Sequence, residues 1–429
     1  MMEFIQLGIL LAPMFLLMGM GLPIFLSMGI ACLIFVFLFD VPIMILAQSY
    51  VRGLYSYDFL ALPFYFLAGD LMNVGGITAN LVRLSEAVIG HIRGGLSHVT
   101  IISSMIFAGV SGSAVADASA IGSVLIPTMK KNGYEASYVA ALTAAAATIG
   151  PIIPPSIPMV VYGLIAQVSI GKLFLAGALP GIMMGAYLLV VSLIISYRRG
   201  YPASKRATLR FFLDSFTDAV PALLMPGIIL GGIISGIVTP TEAGAVAVAY
   251  GMIVGCLVYR KIHVRDLPRL FGQTMVNTAT ILIIIATTGL FCWIIANMGL
   301  GAALVKLFLS ISTNKWVILG VINVFFLIWG CFLDPITAML IVVPILIPLV
   351  QQVGIDLVHF GLVVVLNLMI GLVTPPVGLV LYLATSMAQT RFEEVVRELL
   401  PFFAALIAVL IICTFAPAFV LWLPNLFFK

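Results

Sequence analysis

Short polar clusters interrupt the apolar sequence at four places, and their residue types could bind a hard cation beside an anion. Hard cations prefer hydroxyl, carboxylate and backbone carbonyl oxygens as ligands. Unwound helix ends supply such carbonyls, while the N-termini of half-helices attract anionic groups. The candidate cation ligands are Ser111, Gly112, Ser113, Gly150, Asp334, Thr337, Gly371 and Thr374. The candidate anion contacts are Ser113, Ala114, Pro154, Ser156, Pro335 and Pro375.

Asp334 is the strongest candidate for a cation ligand, because it is the only carboxylate in these clusters. A charged side chain near the centre of a bilayer costs about 2.5–3.5 kcal/mol on insertion scales, which a bound cation would offset. The alternative is that Asp334 only caps the helix that follows it. For Asp117, four residues beyond Ser113, we expect helix capping. Thr239 to Glu242 is expected to start a helix, with Glu242 in its first turn.

The composition is that of a protein that crosses a membrane several times. The 429-residue chain is 63% hydrophobic and 8% charged, with a mean hydropathy of +1.25, whereas soluble domains average about 25% charged residues. Apolar stretches long enough to span about 30 Å of hydrocarbon recur along its whole length. The five cysteines are scattered singly and predict no disulfide framework. We therefore predict an all-α polytopic membrane protein, and the net charge of +4 does not indicate nucleic-acid binding.

The element that must position the polar clusters is a helix broken by prolines, and it occurs twice. Gly-Pro-Ile-Ile-Pro-Pro at residues 150–155 recurs as Gly-Leu-Val-Thr-Pro-Pro at residues 371–376, an offset of 221 residues. Proline removes a backbone donor and clashes with the preceding turn, and in lipid the freed carbonyls must face protein or a water-filled cavity. Paired broken helices at matching places in two halves point to the binding site of a secondary transporter. A packing kink would explain one such break more easily than two in register.

Two further polar tips lie in apolar stretches just before the broken helices. These stretches cover about residues 95–130 and 316–350, and each has arms of about 15 residues, or about 22 Å as helix. Arms of that length are short for a full crossing. We therefore predict two re-entrant hairpins, whose tips face the breaks in the long helices at about 136–168 and 357–388.

The distribution of Lys and Arg is an independent indication of this organisation. With five crossings and one hairpin in each half and the N-terminus outside, fifteen basic residues fall inside and five outside, in agreement with the positive-inside rule. An odd number of crossings per half also inverts the second half. We predict a first inverted repeat at residues 1–197, a cytoplasmic linker at 198–219 and a second inverted repeat at 220–429. We expect hairpins and broken helices to move together against a static frame made of the remaining spans.

Several longer motifs resemble one known family. FAGVSGSAVADASAIGSVLIPTM, GPIIPPS, GIVTPTEAGAVAV and LDPITAMLIVVPILIP are similar to segments of the large membrane subunit of tripartite ATP-independent periplasmic (TRAP) transporters, the DctM family. The resemblance runs essentially from end to end. It implies an elevator-type transporter of the bacterial inner membrane, and the charge distribution described above then predicts that both termini are periplasmic. The resemblance also implies that such a transporter imports an organic acid anion, such as sialic acid or a C4-dicarboxylate, with Na⁺ as the coupling ion. It further implies a separate four-helix small membrane subunit and a periplasmic binding protein as partners.

Two other functions fit parts of the sequence. An ion or anion channel would also use broken helices, but the predicted spans contain no ring of charged residues. Residues 109–112 match the GxSG pattern of intramembrane serine proteases. A nucleophilic serine needs a base within hydrogen-bond reach, and we expect no histidine in the middle of a neighbouring span. The sequence therefore favours a transporter over a channel, and both over an enzyme.

Overall fold

The computed structural model describes residues 2–54, 57–298, 305–306, 310 and 312–428. Within these ranges the protein is helical and contains no β-strand. Six of the helices found there are long and apolar enough to cross a membrane, and shorter apolar helices accompany them. The predicted all-α polytopic fold class is confirmed.

The first half contains ten helices among its described residues, and the hairpin and the broken helix each contribute two of them. They are α1 (Met2–Gly19), α2 (Ile24–Leu38), α3 (Ile43–Leu54), α4 (Ala61–Val74, after a 3₁₀ turn at Tyr57–Leu60), α5 (Ile77–Ile89), α6 (Gly95–Ser111), α7 (Ala114–Lys131), α8 (Ala136–Ala147), α9 (Ile157–Ala166) and α10 (Ile170–Arg199).

The second half repeats the hairpin and the broken helix. Its described helices are α11 (Leu209–Ile234), α12 (Pro240–Ile253, continued by a π-helical turn at Val254–Val258), α13 (Leu267–Asn297), α14 (Lys315–Gly330), α15 (Pro335–Gln352), α16 (Leu357–Gly371), α17 (Leu379–Ala388), α18 (Phe392–Phe415) and α19 (Pro417–Phe427). The helix start expected at Thr239 is confirmed, because Thr239 and Glu242 form a reciprocal capping box.

The helix boundaries follow the 221-residue register. α7 and α15 match at both ends, and α16 starts 221 residues after α8. Helical structure stops after Ala147 and resumes at Ile157, and it stops again after Gly371 and resumes at Leu379. Both predicted breaks are therefore confirmed. α17 starts 222 residues after α9, but α16 extends further than α8, so the second break is shorter than the first.

The second arm of each hairpin packs against both halves of the chain. α7 packs along α8 and along α17, and α15 packs along α16 and α9. At the end of α7, the Lys130 ammonium donates a hydrogen bond of 2.7 Å to the carbonyl oxygen of Ala388, the last residue of α17. A cation there complements the negative end of the helix. The two halves thus interlock where the hairpins meet the broken helices.

We divide the helices into two groups, which contact each other between α5 and α6, between α4 and α6, and between α13 and α15. We call residues 2–89 and 209–297 the frame. Within the frame, α13 packs along α3 and α4, α12 packs along α4, and α11 packs along α5. Residues 95–199 and 315–427, which we call the block, contain the hairpins and broken helices. We expected the long last span of each half in the frame, but α10 and α18 pack along each other, and α18 packs along α8. Arg199 on α10 binds Glu135 at 2.6 Å and Glu398 on α18 at 2.8 Å, so these spans belong to the block.

Candidate functional site

The two hairpin tips and the first helix break meet in one cleft. Its cavity volume is about 70 Å³. The predicted site residues that line it are Gly112, Ser113, Ala114, Asp334 and Pro335. The other lining residues are Phe66, Val115, Pro151, Ile157, Pro158, Ile336, Met369 and Leu372. The repeat therefore brings together segments that are distant in the sequence, as the broken-helix pattern predicted.

The first hairpin tip contacts the first break directly. Gly112 follows α6 with φ = +61°, a left-handed conformation that glycine adopts at little cost. A Cβ atom at Gly112 would lie 2.6 Å from the carbonyl oxygen of Pro155. A larger residue would therefore meet both backbone strain and a collision, and the tip could not sit as close to the unwound segment.

Ser113 caps α7, and Asp117 has a different role from the capping that we expected. The amide of Ala116 donates to Ser113 Oγ at 3.5 Å, so the N-cap position is already occupied. Asp117 is one turn further along α7, fully buried, and its Oδ1 accepts a hydrogen bond from Ser111 Oγ. The expectation that Asp117 caps the helix was wrong, because Ser113 is the N-cap and the carboxylate of Asp117 binds the Ser111 hydroxyl instead of a helix amide.

The second carboxylate oxygen of Asp117 makes this residue a candidate ligand that the sequence analysis missed. Asp117 Oδ2 is buried and has no hydrogen-bond partner among the described residues. It faces Gly150, where any Cβ atom would collide with it. A buried carboxylate without compensation is costly unless a positive partner or a proton accompanies it. A candidate cation site therefore lies next to the cleft, formed by Ser111, Gly150 and Asp117. The sequence feature that could have indicated Asp117 is its position as a lone carboxylate in an apolar hairpin arm.

Ser156 and Pro154 lie behind the wall of the cleft, not in its lining. Both side chains are buried. Ser156 caps α9 by accepting a 3.2 Å hydrogen bond from the helix backbone, and its hydroxyl donates to the carbonyl oxygen of Pro151. Ser156 therefore holds the shape of the break, while Pro151 and Pro158 on either side line the cleft.

Asp334 lies on the surface of the cleft at the start of α15. Its Oδ2 accepts hydrogen bonds from the amides of Ile336 at 3.1 Å and Thr337 at 3.4 Å, so the capping alternative is realised. The side chain is nonetheless exposed, and a carboxylate has two oxygens with lone pairs in several directions. Capping uses one oxygen and leaves the other available for a ligand.

The remaining predicted residues of the second half lie near the cleft but outside its lining. Thr337 is buried on α15. Gly371 packs so closely against Gly330 that a Cβ atom on Gly330 would lie 3.2 Å from its Cα. Thr374 donates a 2.7 Å hydrogen bond to the carbonyl oxygen four residues earlier, and Pro375 is half-buried beside it. Their role as ligands stays a prediction.

Three helix N-termini converge on the cleft. The first residues of α7, α9 and α15 all line it. Each N-terminus carries about half a positive elementary charge, which favours a bound anion. Ser113, Ser156 and Asp334 each cap one of these helices and accept hydrogen bonds from its first amides. The described lining contains no Lys or Arg, so the helix ends are its source of positive potential. The arrangement can hold an anion, and Asp334 at its edge can hold a cation.

Burial varies around the cleft within each half. In the first half, Gly112 is buried but Val115 keeps 39% of its surface accessible. In the second half, Pro335 and Met369 are buried but Asp334 is exposed. Both halves therefore contribute buried and exposed lining residues.

Phe66 is the lining residue that comes from the frame. It lies on α4 and reaches the cleft beside the first hairpin tip. Gly69, one turn further along α4, comes so close that a Cβ atom there would lie 3.2 Å from the carbonyl oxygen of Ser111. The sequence could not predict that Phe66 lines the cleft, because it is one of many apolar residues in an apolar helix.

Comparison with known proteins shows the family of this chain. The sequence model described as "Tripartite ATP-independent periplasmic transporter, DctM component" matches residues 11–419. The chain is 39% identical over 408 residues to the sialic acid TRAP transporter large permease protein SiaM of Vibrio cholerae, with 95% of this chain and 96% of that protein covered.

Relatives with other substrates are similarly close. The C4-dicarboxylate TRAP transporter large permease protein DctM of Pseudomonas aeruginosa is 38% identical over 369 residues, or 86% of each chain. The 2,3-diketo-L-gulonate TRAP transporter large permease protein YiaN of Escherichia coli is 37% identical, with 93% of this chain and 94% of that protein covered. Among solved structures, the YdaH transporter of Alcanivorax borkumensis shares the fold, with a TM-score of 0.63 at 14% identity over 87% of each chain.

Proposed function

Because this chain belongs to the DctM family of tripartite ATP-independent periplasmic transporters, we propose that it imports an organic acid anion together with Na⁺ by an elevator movement of the block. Family membership makes the chain a large permease component, a multi-pass membrane protein and not an enzyme. The observation that carries the proposal is the convergence of three helix N-termini and two hairpin tips on one cleft.

The substrate class follows from the chemistry of the cleft and from the relatives. Helix N-termini bind carboxylates without needing a basic side chain. The relatives named above carry sialic acid, C4-dicarboxylates and 2,3-diketo-L-gulonate, which are organic acids. We therefore assign an organic acid anion and leave its carbon skeleton open, because apolar lining residues such as Met369 and Leu372 do not distinguish among these acids.

The coupling ion follows from two carboxylates near the same cleft. Asp117 is buried with one oxygen unpartnered, and Asp334 is exposed at the edge. Asp117 lies against the hydroxyl of Ser111, and Asp334 keeps one oxygen that capping does not use. Oxygen ligands of this kind suit a hard cation such as Na⁺. No cluster of three His, Cys, Asp or Glu occurs in the described part of the chain, so the donors present suit an alkali ion better than a transition metal.

We propose two protein partners and an orientation on the same basis. A large permease of this family works with a small membrane subunit of four helices and with a periplasmic binding protein that delivers the substrate. We place the protein in the bacterial inner membrane with both termini periplasmic, because that orientation puts fifteen of twenty Lys and Arg residues inside.

The proposed function is tested by uptake into proteoliposomes that contain this chain with its small subunit, supplied with a loaded binding protein. We expect an organic acid to accumulate above its outside concentration only while a sodium gradient is present. The channel alternative predicts equilibration without accumulation. If accumulation persists without sodium, under a proton gradient alone, Na⁺ is not the coupling ion.

The exposure of the two second arms supports a movable block. On α7, Ser119 is half-buried and Ser123 and Thr128 are exposed. At the matching positions of α15, Leu340 and Leu349 are buried, where α15 packs along frame helix α13. The hydroxyls of Ser123 and Thr128 donate to carbonyl oxygens of their own helix, so the support for a movable block is the different packing of the two arms. We propose that α7 borders a water-filled path on the inner side of the cleft and that α15 forms a closed seam on the outer side.

Cysteine accessibility tests this movement. In a background without native cysteines, Ser119→Cys should react with a membrane-impermeant thiol reagent from the inner side, and Leu340→Cys should be protected. When sodium and substrate are added on the outer side, Ser119→Cys should become protected and Leu340→Cys should become reactive. The reason is that an elevator movement covers one arm while it exposes the other. Patterns that never change under any gradient would contradict an elevator.

A further inference from the structure

An apolar groove separates frame helix α1 from the second hairpin. Leu7, Leu11 and Phe15 form one wall, at a spacing of one helical turn, and α14 forms the opposite wall. Ile341 and Ile345 of α15 form the floor. The groove has a volume of about 330 Å³ and no polar atom in its lining surface. It is far larger than the cleft of the candidate functional site, and no part of the proposed transport function uses it.

The groove is bridged at one point by aromatic side chains. Phe15 meets the indole of Trp329 edge to face at 5.3 Å, and Phe325 stacks on the same indole at 5.2 Å. Trp329 Nε1 is buried and has no hydrogen-bond partner among the described residues. α1 otherwise packs along α2, so the groove lies between two groups of helices that belong to different parts of the fold.

The surface around the groove is apolar and exposed. Leu16 and Ile328 at its margins keep 64% and 58% of their surface accessible, and Val321 and Phe325 in its wall keep 39% each. All four are apolar, in a chain that crosses the membrane. A water molecule needs two to four polar partners to occupy a cavity, and the described lining offers at most one donor. An apolar molecule already present in the bilayer is the occupant that fits.

We propose that this groove binds an acyl chain of a membrane phospholipid. Even a dry apolar cavity of about 150 Å³ can take up a benzene-sized molecule, and this groove is about twice as large and continuous with the lipid-facing surface. The acyl chain would fill the gap between α1 and the second hairpin, with its methylenes against Leu11 and Ile345. This site is separate from the substrate cleft, and the proposal holds whether or not the transport mechanism above is correct.

Quenching of Trp329 fluorescence by brominated lipid chains tests the proposal directly. The full chain carries four tryptophans, so Trp293, Trp316 and Trp422 are replaced by Phe to leave Trp329 as the reporter. The protein is reconstituted into phosphatidylcholine vesicles with bromines either near the end of the acyl chain or near the headgroup. We expect strong quenching, larger for bromines near the chain end, since Trp329 lies next to the hairpin tip that the sequence places near mid-membrane.

A groove-filling substitution separates a bound chain from general lipid contact. Leu11→Phe should reduce the quenching of Trp329 by at least half. The same substitution in a chain whose only tryptophan is Trp422, which is 58% exposed on α19, should leave quenching unchanged. If Leu11→Phe does not fold, Ile345→Phe fills the groove from the other side. Quenching that is absent, or that is equal with and without the filling residue, would overturn the proposal, and absent quenching would indicate that protein covers the groove.

Discussion

Asp334→Asn is expected to lower sodium-dependent uptake at least about tenfold, which corresponds to about 1.4 kcal/mol, while the protein stays folded in the membrane. Asparagine and aspartate are equally good N-caps, so the hydrogen bonds from Ile336 and Thr337 are kept and only the charge is lost. A unit charge about 4 Å from a cation contributes about 4 kcal/mol at an effective dielectric constant of 20. Initial uptake rates across a sodium series in proteoliposomes measure the effect.

Asp356→Asn is the matched control for this change. Asp356 caps α16 in the same manner, with hydrogen bonds of 2.8 Å and 3.0 Å from the amides of Val358 and His359, and it does not line the cleft. Its variant should transport like the unmodified chain. If Asp334→Asn retains the sodium dependence of the unmodified chain, Asp334 only caps α15 and the proposal that it binds Na⁺ is wrong.

Asp117→Asn is expected to raise the sodium concentration for half-maximal uptake about tenfold or more and also to stabilise the protein against heat in sodium-free buffer. The asparagine oxygen can still accept the hydrogen bond from Ser111. The substitution removes a buried charge whose second oxygen has no protein partner, and such a charge is costly without its ion. Uptake assays and thermal unfolding in the presence and absence of sodium give the two readouts.

Asp70→Asn provides the control for a carboxylate in the frame. Asp70 accepts a 3.0 Å hydrogen bond from Thr274 on α13, which an asparagine oxygen can also accept, and Asp70 does not line the cleft. Its sodium dependence should not change. An Asp117→Asn variant with unaltered sodium dependence and unaltered stability would mean that Asp117 is neutral in the folded protein and binds no cation.

The two carboxylates show how the repeats have diverged. At the N-cap, Ser113 in the first hairpin matches Asp334 in the second; one turn later, Asp117 matches Ala338. Each hairpin thus carries one carboxylate, buried in the first and exposed in the second. An exposed carboxylate such as Asp334 exchanges a bound ion with water more readily than an enclosed one such as Asp117. We therefore expect the Asp334 position to fill and empty first.

Local features of the fold were predictable from the sequence because they depend on a few adjacent residues. Proline interrupts a helix wherever it removes a donor and clashes with the preceding turn, so the breaks after Ala147 and Gly371 follow from the residue types alone. Gly112 and Ser113 likewise mark the end of one helix and the start of the next. The 221-residue register then indicated that the two breaks belong to one site.

The sequence by itself determined the membrane class, the two hairpins, the two breaks and five of the residues that line the cleft. Tertiary structure alone decided that Phe66 of the frame enters the cleft, that Asp117 is enclosed against Gly150, and that α10 and α18 pack within the block. The physical reason is that helices in a membrane are apolar on every face, so their sequence carries no stripe to identify the packed side. Which faces meet is set by close packing of small residues and by interhelical hydrogen bonds, and these become visible only when distant segments are brought together.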